Sequence, residues 1–303
     1  MPLKLTILGS GSAVPNLQRG VSAHYLNINE RRILIDCGEG TQLQLRRFKV
    51  KFQRLQYIFI SHLHGDHYLG LVGLFSSMSL LGRDSKLIIF APEGLEEIIQ
   101  LQFKISGVYL NYKIEFVVLR AKEKTLIFED NSIEVYTFPL KHRITTFGFL
   151  FQEKTRGKSF NKDKIAEFNL TLPEILKVKK GEDVVRGEEI IKNEVLTLPD
   201  SKLCSYAYCS DTKFIPELSE TLKNVSLLYH EGTFLSEDKD KAKSTMHSTA
   251  IEAARIAREA NVGQLLIGHF SARYNDTIAH LKEAQQIFQN VRCLEDGDEF
   301  VVE

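Results

Sequence analysis

The 303-residue sequence has no excess of charge of either sign, because 39 Lys and Arg balance 39 Asp and Glu. A nucleic-acid partner would therefore be bound by local basic patches and not by a field around the whole molecule. Cysteine is scarce, with four scattered residues at Cys37, Cys204, Cys209 and Cys293. Their positions predict small buried side chains in a reduced cytoplasm, and the spacing of Cys204 and Cys209 is too loose to indicate a metal-binding pair.

The sequence also lacks an apolar run of membrane-spanning length, and its N-terminus has no basic segment followed by an apolar one. From these absences we expect no membrane anchor and no cleaved leader peptide. This expectation agrees with a location in the cytoplasm. Hydrophobic residues make up 43% of the chain, which is ample for a buried core and argues against disorder. The length fits one large domain or two small ones.

What the sequence does have is a dense group of metal-capable side chains, namely His62, His64, Asp66 and His67. The apolar segment 55–60 before them predicts a buried strand, and the apolar run 69–75 after them predicts a helix. The group therefore lies on a strand-to-helix turn that a rigid sheet holds in place. The spacing directs the first two histidines to one ion and Asp66 with His67 to a second. Imidazole with carboxylate suits Zn²⁺, whereas surface histidines on a loop are the plain alternative.

The segment Ser61–His67 resembles the H-x-H-x-D-H signature of the metallo-β-lactamase superfamily. That resemblance implies an αββα sandwich of the α/β (α+β) class, with a dinuclear metal site at one edge. The rest of the chain fits this layout, because predicted strands at 132–138, 206–209 and 264–267 are followed by His142, Asp211 and His269. Two such halves predict a single domain over residues 1–303.

Seven side chains at these strand ends form a candidate ligand set. His62, His64 and His142 would bind one ion, Asp66, His67 and His269 the other, and Asp211 would bridge the two. Two Zn²⁺ ions about 3.5–4 Å apart can share a water molecule and lower its pKa toward ~7. Asp66 could also accept the proton of that water. Asp36, at the end of the strand 32–35, is predicted to orient a histidine N–H instead of binding metal.

Further groups complete the predicted chemistry. Arg143 or Arg273 would hold a phosphate group. A leaving alkoxide needs a proton, and His247, oriented by Glu231, is the predicted donor. The simpler interpretation of His247 is a histidine without a chemical role, because it precedes a helix predicted at 250–257 with Ser248 or Thr249 as its cap.

Residues 153–195 interrupt the sheet pattern. Charge is dense there, predicted elements are short, and apolar residues are too few for a core. Because the sheet pattern resumes afterwards, the segment is predicted to be a flexible arm inserted in the domain and not a linker between two cores. Its basic focus holds Lys177, Lys179 and Lys180. A solvated surface insertion without a binding role is the alternative.

The whole set of motifs resembles the ribonuclease Z family of tRNA 3′-processing endonucleases, in its short form. Segments that carry the resemblance span nearly the full chain: Gly9–Ala13, Asp36–Gln42, Ser61–His67, His142-Arg143, Ser210–Thr212, His230–Thr233, His247–Thr249 and His269–Tyr274. An Asp and not a Cys at the bridging position argues against the zinc β-lactamases. Family arms carry a Gly-Pro-centred motif, and Leu170-Thr171-Leu172-Pro173 stands in its place here.

The resemblance implies a homodimeric endoribonuclease with two Zn²⁺ per subunit that removes 3′ trailers from tRNA precursors. It implies a 3′-hydroxyl on the tRNA and a 5′-phosphate on the trailer, a proton relay of Glu231 and His247, and an arm that grips tRNA. One rival function is a small-molecule hydrolase of thioesters, lactones or cyclic phosphodiesters, which would have no use for a long basic arm. A second rival is a non-catalytic RNA-binding subunit, which the complete ligand set disfavours.

Overall fold

The computed structural model describes residues 3–14, 16–154, 160–198 and 203–302. The strands in that part of the chain are β1 (Leu3–Gly9), β2 (Ala23–Ile28), β3 (Arg31–Ile35), β4 (Tyr57–Phe59), β5 (Leu87–Ala91), β6 (Ile114–Val118), β7 (Thr125–Glu129), β8 (Ile133–Leu140), β9 (Thr146–Glu153), β10 (Val184–Arg186), β11 (Glu189–Ile191), β12 (Ser205–Cys209), β13 (Leu227–Glu231), β14 (Gln264–Gly268), β15 (Val291–Cys293) and β16 (Glu299–Val302).

The helices of the same part are α1 (Thr41–Arg47), α2 (Gly65–Tyr68), α3 (Leu71–Leu80), α4 (Leu95–Ser106), α5 (Lys162–Glu167), α6 (Leu172–Lys179), α7 (Asn193–Leu196), α8 (Leu218–Thr221), α9 (Lys239–Thr245), α10 (Ala250–Glu259) and α11 (Ile278–Gln285). Two 3₁₀ turns lie at Phe52–Arg54 and Ser236–Asp238. No helix among the described residues is both long and apolar enough to cross a membrane.

Two seven-stranded sheets form the body of the molecule. The first has the order β16-β1-β2-β3-β4-β5-β6 and the second the order β15-β14-β13-β12-β9-β8-β7. Strands β3 to β6 run parallel in the first sheet, and β12 to β15 run parallel in the second. Because the carboxyl ends of parallel strands lie at one edge of a sheet, each sheet presents a row of strand ends that can build a site.

Three buried clusters show how the layers pack. One joins the inner faces of the two sheets, for example Ile35 and Phe59 from the first with Phe149 and Tyr208 from the second. A second cluster packs α8, α10 and α11 on the second sheet, and a third packs α1, α3 and α4 on the first. The order helix, sheet, sheet, helix confirms the predicted αββα sandwich, since each amphipathic layer buries its apolar side against the next.

Most predicted strands and helices are confirmed, with two instructive omissions. Strand β7 carries no periodic pattern, because it lies at the edge of its sheet and is largely exposed, so its buried and exposed residues do not alternate. Helix α9 was also missed, because Ala242 is its one buried residue. A helix with so little apolar surface lacks the 3.6-residue period on which the prediction rests.

The inserted segment has a small core of its own, so the prediction that its apolar residues are too few was wrong. Val178, Val184, Ile191 and Leu196 are buried together, with Phe160, Phe168 and Leu170 packed around them. The four buried side chains come from α6, the β10–β11 hairpin and α7, and the three around them lie in the loops on either side of α5, so the core forms only in the folded chain. Strands β9 and β12, on either side of the insertion, pair antiparallel, so the chain leaves and rejoins the second sheet at adjacent strands.

Candidate metal centre

The histidine turn is held against the loop that follows β3 by close backbone contacts. The Cys37 N–H donates to the His67 carbonyl at 2.8 Å, and the Gly70 N–H donates to the Cys37 carbonyl at 2.9 Å. A side chain at Gly38 would place its Cβ 2.2 Å from the Asp66 carbonyl oxygen. The loop sequence Asp36-Cys37-Gly38 therefore fixes the position of the turn, and glycine is required for that approach.

Three imidazoles converge in a first group. His64 Nδ1 lies 3.0 Å from His62 Nε2 and 3.2 Å from His142 Nε2. One oxygen of Asp211, Oδ2, lies 3.6 Å from His62 Nε2 and 3.7 Å from His142 Nε2. The structure thus brings together the set that the sequence predicts for one ion.

A second group lies beside the first and shares Asp211. Asp66 Oδ2 lies 3.2 Å from His67 Nε2 and 3.5 Å from His269 Nε2. The other oxygen of Asp211, Oδ1, lies 3.4 Å from His67 Nε2 and 3.1 Å from His269 Nε2. Each oxygen of Asp211 therefore faces a different group, which is the geometry expected of a bridging carboxylate.

The chemistry of these atoms fits a divalent metal. The second group is buried, yet Asp66 Oδ2, His67 Nε2 and His269 Nε2 have no hydrogen-bond partner within the part of the chain that the structure describes. Leaving buried polar atoms without partners costs free energy, so such a cluster is stable when a cation satisfies them. Imidazole nitrogen with carboxylate oxygen is a ligand set that divalent transition metals and zinc take.

The electrostatic field of the site is strongly negative. Burial alone would lower the pKa of His67, but the carboxylates of Asp211, Asp36 and Asp66 raise that pKa well above its ordinary value. Burial would raise the pKa of Asp211, but facing histidines, His269 first, hold it well below the usual range. Ionised carboxylates around one buried ring would attract a cation for the same reason.

Four of the five imidazoles in the two groups are oriented through their other nitrogen. His67 Nδ1 lies 2.7 Å from Asp36 Oδ2, which confirms the predicted contact of Asp36 with a histidine N–H. Corresponding Nδ1 contacts are His62 to Ser61 Oγ at 3.0 Å, His142 to the Met246 carbonyl at 3.0 Å and His269 to Thr233 Oγ1 at 2.9 Å. Such bonds fix the tautomer that presents the remaining nitrogen to a metal.

Asp36 is itself held by groups from both sheets. It accepts from the Ser61 N–H at 2.7 Å and the Ser61 hydroxyl at 2.8 Å, and from the Tyr208 hydroxyl at 2.7 Å. Tyr208 is fully buried on β12 of the opposite sheet. Sequence reasoning missed it, because a tyrosine inside a strand reads as ordinary core.

Tyr208→Phe should weaken metal binding about tenfold, near the lower end of the effect of residues behind metal ligands. The change removes one donor to Asp36 and leaves the ring in place. Tyr206→Phe is the matched control, because Tyr206 is a buried tyrosine of the same strand whose hydroxyl lies 2.7 Å from His24 Nδ1. Chelator competition on both variants measures the affinity, and an equal loss in the two would contradict a specific role for Tyr208.

A buried carboxylate beside the ligands is completely occupied by donors. Glu231 accepts from the Thr212 N–H at 2.9 Å, the Thr233 N–H at 3.2 Å and the Thr233 hydroxyl at 2.7 Å. His247 Nδ1 lies 2.8 Å from Glu231 Oε1. Burial would lower the pKa of His247, but Glu231 raises it to about 9. The predicted pair of Glu231 and His247 is therefore present in the structure as a charge-assisted contact.

Helix α9 delivers His247 to the site. The helix ends at Met246, whose φ of 60° is left-handed, and the His247 N–H donates to the Ala242 carbonyl at 2.8 Å. The next helix begins at Thr249, which forms a capping box with Glu252, so Thr249 and not Ser248 is the cap. The uncommon backbone conformation of Met246 directs its carbonyl oxygen toward His142 Nδ1 and also positions the ring of His247.

A cavity of about 560 Å³ opens over both groups, and its lining includes Ser12, Glu39, Arg143, Phe234 and His247. Arg143 is exposed, with Nη2 3.4 Å from the Ser244 carbonyl. Arg273, the other residue predicted to hold a phosphate, is bound by two neighbouring side chains. Its guanidinium bonds Asp238 at 2.8 Å and lies over the ring of Phe234 at 5.2 Å, so Phe234 and not Arg273 faces the cavity.

The predicted basic residues of the insertion lie apart from this lining. Lys177 and Lys179 are on α6, Lys180 follows it, and all three are exposed. Three further histidines, His24, His230 and His280, are buried on β2, β13 and α11 and lie outside the two ligand groups.

Comparison with known proteins identifies the family. The chain is 47% identical over 286 residues to the curated protein "Ribonuclease Z" of Bacteroides thetaiotaomicron, covering 94% of this chain and 90% of that one. The chain belongs to the ribonuclease Z family. A second relative of that name, from Cytophaga hutchinsonii, is 45% identical, and the alignment covers 100% of this chain and 97% of the relative.

Solved structures agree with the ribonuclease Z family. The short form of human tRNase Z (ELAC1) superposes with a TM-score of 0.71 at 28% identity, covering 98% of each chain. The metallo-β-lactamase fold protein YhfI of Bacillus subtilis has a TM-score of 0.70 at 18% identity over 100% of each chain, which shows the fold alone. The predicted metallo-β-lactamase fold is thereby confirmed.

A family model also matches the first part of this ribonuclease Z family chain. The model described as "Anti-Pycsar protein Apyc1" covers residues 3–172, more than half of the sequence, so the chain belongs to that family as well. The matched part contains the histidine turn and His142 but not Asp211, His247 or His269. Similarity to ribonuclease Z extends over the part that holds these residues.

Proposed function

We propose that the protein is a metal-dependent endoribonuclease that removes 3′ trailers from tRNA precursors, leaving a 3′-hydroxyl on the tRNA and a 5′-phosphate on the trailer. The observation that carries this proposal is the similarity to ribonuclease Z, which is 47% identity over 94% of this chain. The two groups of candidate metal ligands that share Asp211 support it. A small-molecule hydrolase on the same fold is not favoured, because the relatives with high identity carry the ribonuclease name.

The seven side chains would hold two Zn²⁺ per subunit. His62, His64 and His142 would bind one ion, Asp66, His67 and His269 the other, and Asp211 both. When bound, such ions supply Lewis-acid stabilisation of the phosphodiester charge and lower the pKa of a water molecule.

The remaining steps belong to residues of the chain. Arg143 would hold a phosphate oxygen of the substrate at the cavity wall. The attacking water forms a bond to phosphorus and passes its proton to Asp66. As the bond from phosphorus to the tRNA 3′-oxygen breaks, His247 donates a proton to that oxygen while Glu231 stabilises the charged ring.

A comparison of substrates tests this function. The metal-loaded protein should cleave a 3′-extended tRNA precursor with a far higher kcat/KM than it shows for a cyclic nucleotide, a lactone or a thioester. A preference for any of the small substrates would favour the rival hydrolase. Binding of the precursor without cleavage by metal-loaded protein would favour the rival RNA-binding subunit.

The inserted segment, residues 153–195, is proposed to be an exosite that binds tRNA away from the chemistry. Three exposed lysines, Lys177, Lys179 and Lys180, lie at the end of α6. A clamp fixes this helix to the β10–β11 hairpin, because Arg186 bonds both oxygens of Glu174 at 2.8 and 3.0 Å. Glu174 also forms a capping box with Thr171. These hydrogen bonds and the ion pair with Arg186 lie at the position where the family has its Gly-Pro motif.

Replacing the insertion by a short Gly-Ser linker between β9 and β12 should raise KM for precursor tRNA by at least ~10-fold, because phosphate contacts are lost. The dependence of KM on salt should also become shallower for the same reason. Hydrolysis of bis(p-nitrophenyl) phosphate, which needs only the metal site, should persist and serves as the control for folding. An unchanged KM with an unchanged salt slope would make the segment a solvated insertion.

Self-association into a homodimer is also proposed. Large apolar side chains are exposed on or beside α1, α3 and α4 of the first sheet's helical layer, namely Leu43, Leu80, Leu81, Leu101, Ile105 and Tyr109. Several large apolar side chains exposed on one layer of the molecule are expected to mark an interaction site. Sedimentation velocity tests the proposal, and a monomer at micromolar concentration would contradict it. Location in the cytoplasm stays a prediction from the sequence.

A further inference from the structure

A second cavity of about 410 Å³ adjoins the metal centre and has no role in the chemistry described so far. His142 lines both this cavity and the one over the two ligand groups. Its neighbour Arg143 faces the cavity over the metal centre, whereas Lys141 faces the second cavity. The segment 141–143 therefore lines both cavities, and a chain-like ligand that occupies both cavities must pass over this segment.

The second cavity carries two cations without counterions. Lys141 and Lys213 both line it and are exposed, and neither ammonium group has a carboxylate within ion-pair distance among the described residues. Their backbones are tied together, because the Lys213 N–H donates to the Lys141 carbonyl at 2.9 Å. Two unpaired positive charges on one rim favour an anionic ligand, and a phosphate is the anion that the neighbouring centre handles.

These two lysines are positioned by the ligand loops themselves. Lys141 directly precedes His142, and Lys213 follows the bridging Asp211 by two residues. The Lys141 N–H donates to the Thr212 hydroxyl at 3.2 Å, so these side chains are held by backbone bonds that do not involve their ammonium groups. A substitution of either side chain consequently leaves the fixed backbone intact.

The rest of the lining is largely apolar. Leu140, Ile144, Phe147 and Met246 contribute to it. Met246 is the residue with the left-handed backbone that caps the end of α9, and it directly precedes His247 in the chain. A cavity lined by both cationic and apolar side chains suits a nucleotide, whose base has apolar faces and whose phosphate is charged.

We propose that this second cavity is a nucleotide subsite that binds the residue of the precursor RNA next to the scissile phosphate. Lys141 and Lys213 hold a phosphate of that nucleotide, and the base lies against Met246 and Ile144. The inference rests on the proposed ribonuclease function, because the ligand is part of the same RNA substrate. The nucleotide comes either from the trailer or from the 3′ end of the tRNA, and both share the chemistry of a single-stranded nucleoside phosphate.

The double variant Lys141→Ala/Lys213→Ala tests the proposal by its salt dependence. Loss of the contacts to this one phosphate of single-stranded RNA should raise KM for a precursor tRNA about tenfold and reduce the slope of log KM against log salt by about 0.7. Lys223→Ala is the matched control, because Lys223 is an exposed lysine that precedes β13, at the opposite end of that strand from Glu231. Metal content equal to that of the wild type in both variants shows that the centre is intact.

Two further measurements distinguish the source of the nucleotide. If it belongs to the trailer, the wild type gains affinity as the trailer lengthens from one to several nucleotides, and the double variant loses that gain. If it belongs to the tRNA, inhibition by mature tRNA weakens in the double variant. KM and salt slope equal to those of Lys223→Ala would overturn the subsite, whereas absence of precursor cleavage by the wild type would overturn the proposed function itself.

Discussion

Asp211→Ala should release metal from both groups and lower precursor cleavage by more than about 10³-fold, because charge stabilisation at the reacting phosphate is lost. The two oxygens of this carboxylate face different groups, with Oδ1 3.1 Å from His269 Nε2 and Oδ2 3.6 Å from His62 Nε2. One substitution therefore removes a ligand from each. Metal analysis after gel filtration measures the loss directly.

Asp211→Asn is the informative companion. It keeps the shape of the side chain and removes its charge, so it should retain the fold while binding metal less tightly than the wild type. Asp238→Asn is a control outside the ligand set, since Asp238 pairs with Arg273. Two tightly held ions and near-normal cleavage in Asp211→Ala would refute the bridging role.

His247→Ala should keep its metal and its substrate affinity but slow precursor cleavage by ~10²–10⁴. In the proposed mechanism, the alkoxide that leaves from the tRNA is a poor leaving group, and His247 would supply the proton that it needs. A nitrophenyl phosphodiester leaves with little need of a proton, so its hydrolysis should fall much less. Equal losses on the two substrates would mean that His247 positions the substrate or supports the fold.

Glu231→Gln separates the two members of this pair. The amide can still accept through its oxygen but no longer stabilises a charged His247, so a loss in the same direction and smaller than that of His247→Ala is expected. Glu231 also accepts from Thr233, whose hydroxyl contacts His269. The metal content of Glu231→Gln must therefore be measured as well. A loss of metal would mean that the variant acts through His269 and not through His247.

The ligand set could be predicted from the sequence because it obeys local rules. His62, His64, Asp66 and His67 are close in sequence, and the distant members each follow a strand with a clear apolar pattern. Parallel strands bring their carboxyl ends to one edge, so residues far apart in the chain become neighbours. The αββα fold was implied by the resemblance of Ser61–His67 to the metallo-β-lactamase signature, and the alternation of strand and helix signals agreed with it.

Other features depend on contacts that no local pattern announces. Tyr208 reaches Asp36 across the interface of the two sheets, and its sequence context is that of any core strand. Helix α9 places Met246 and His247 although it has one buried residue. The core of the insertion assembles from single apolar residues on separate short elements. The ion pair of Arg273 with Asp238 could not be predicted from the sequence either, because the two residues are far apart in the chain.

The most direct test of the central claim is to incubate the metal-loaded protein with a 3′-extended tRNA precursor and to determine both new ends. The proposed function predicts a single cut at the junction of tRNA and trailer, a 3′-hydroxyl on the tRNA and a 5′-phosphate on the trailer. Cleavage should disappear on chelation and return with Zn²⁺. A folded, metal-loaded protein that leaves the precursor intact, or that shortens the trailer one nucleotide at a time, would contradict it.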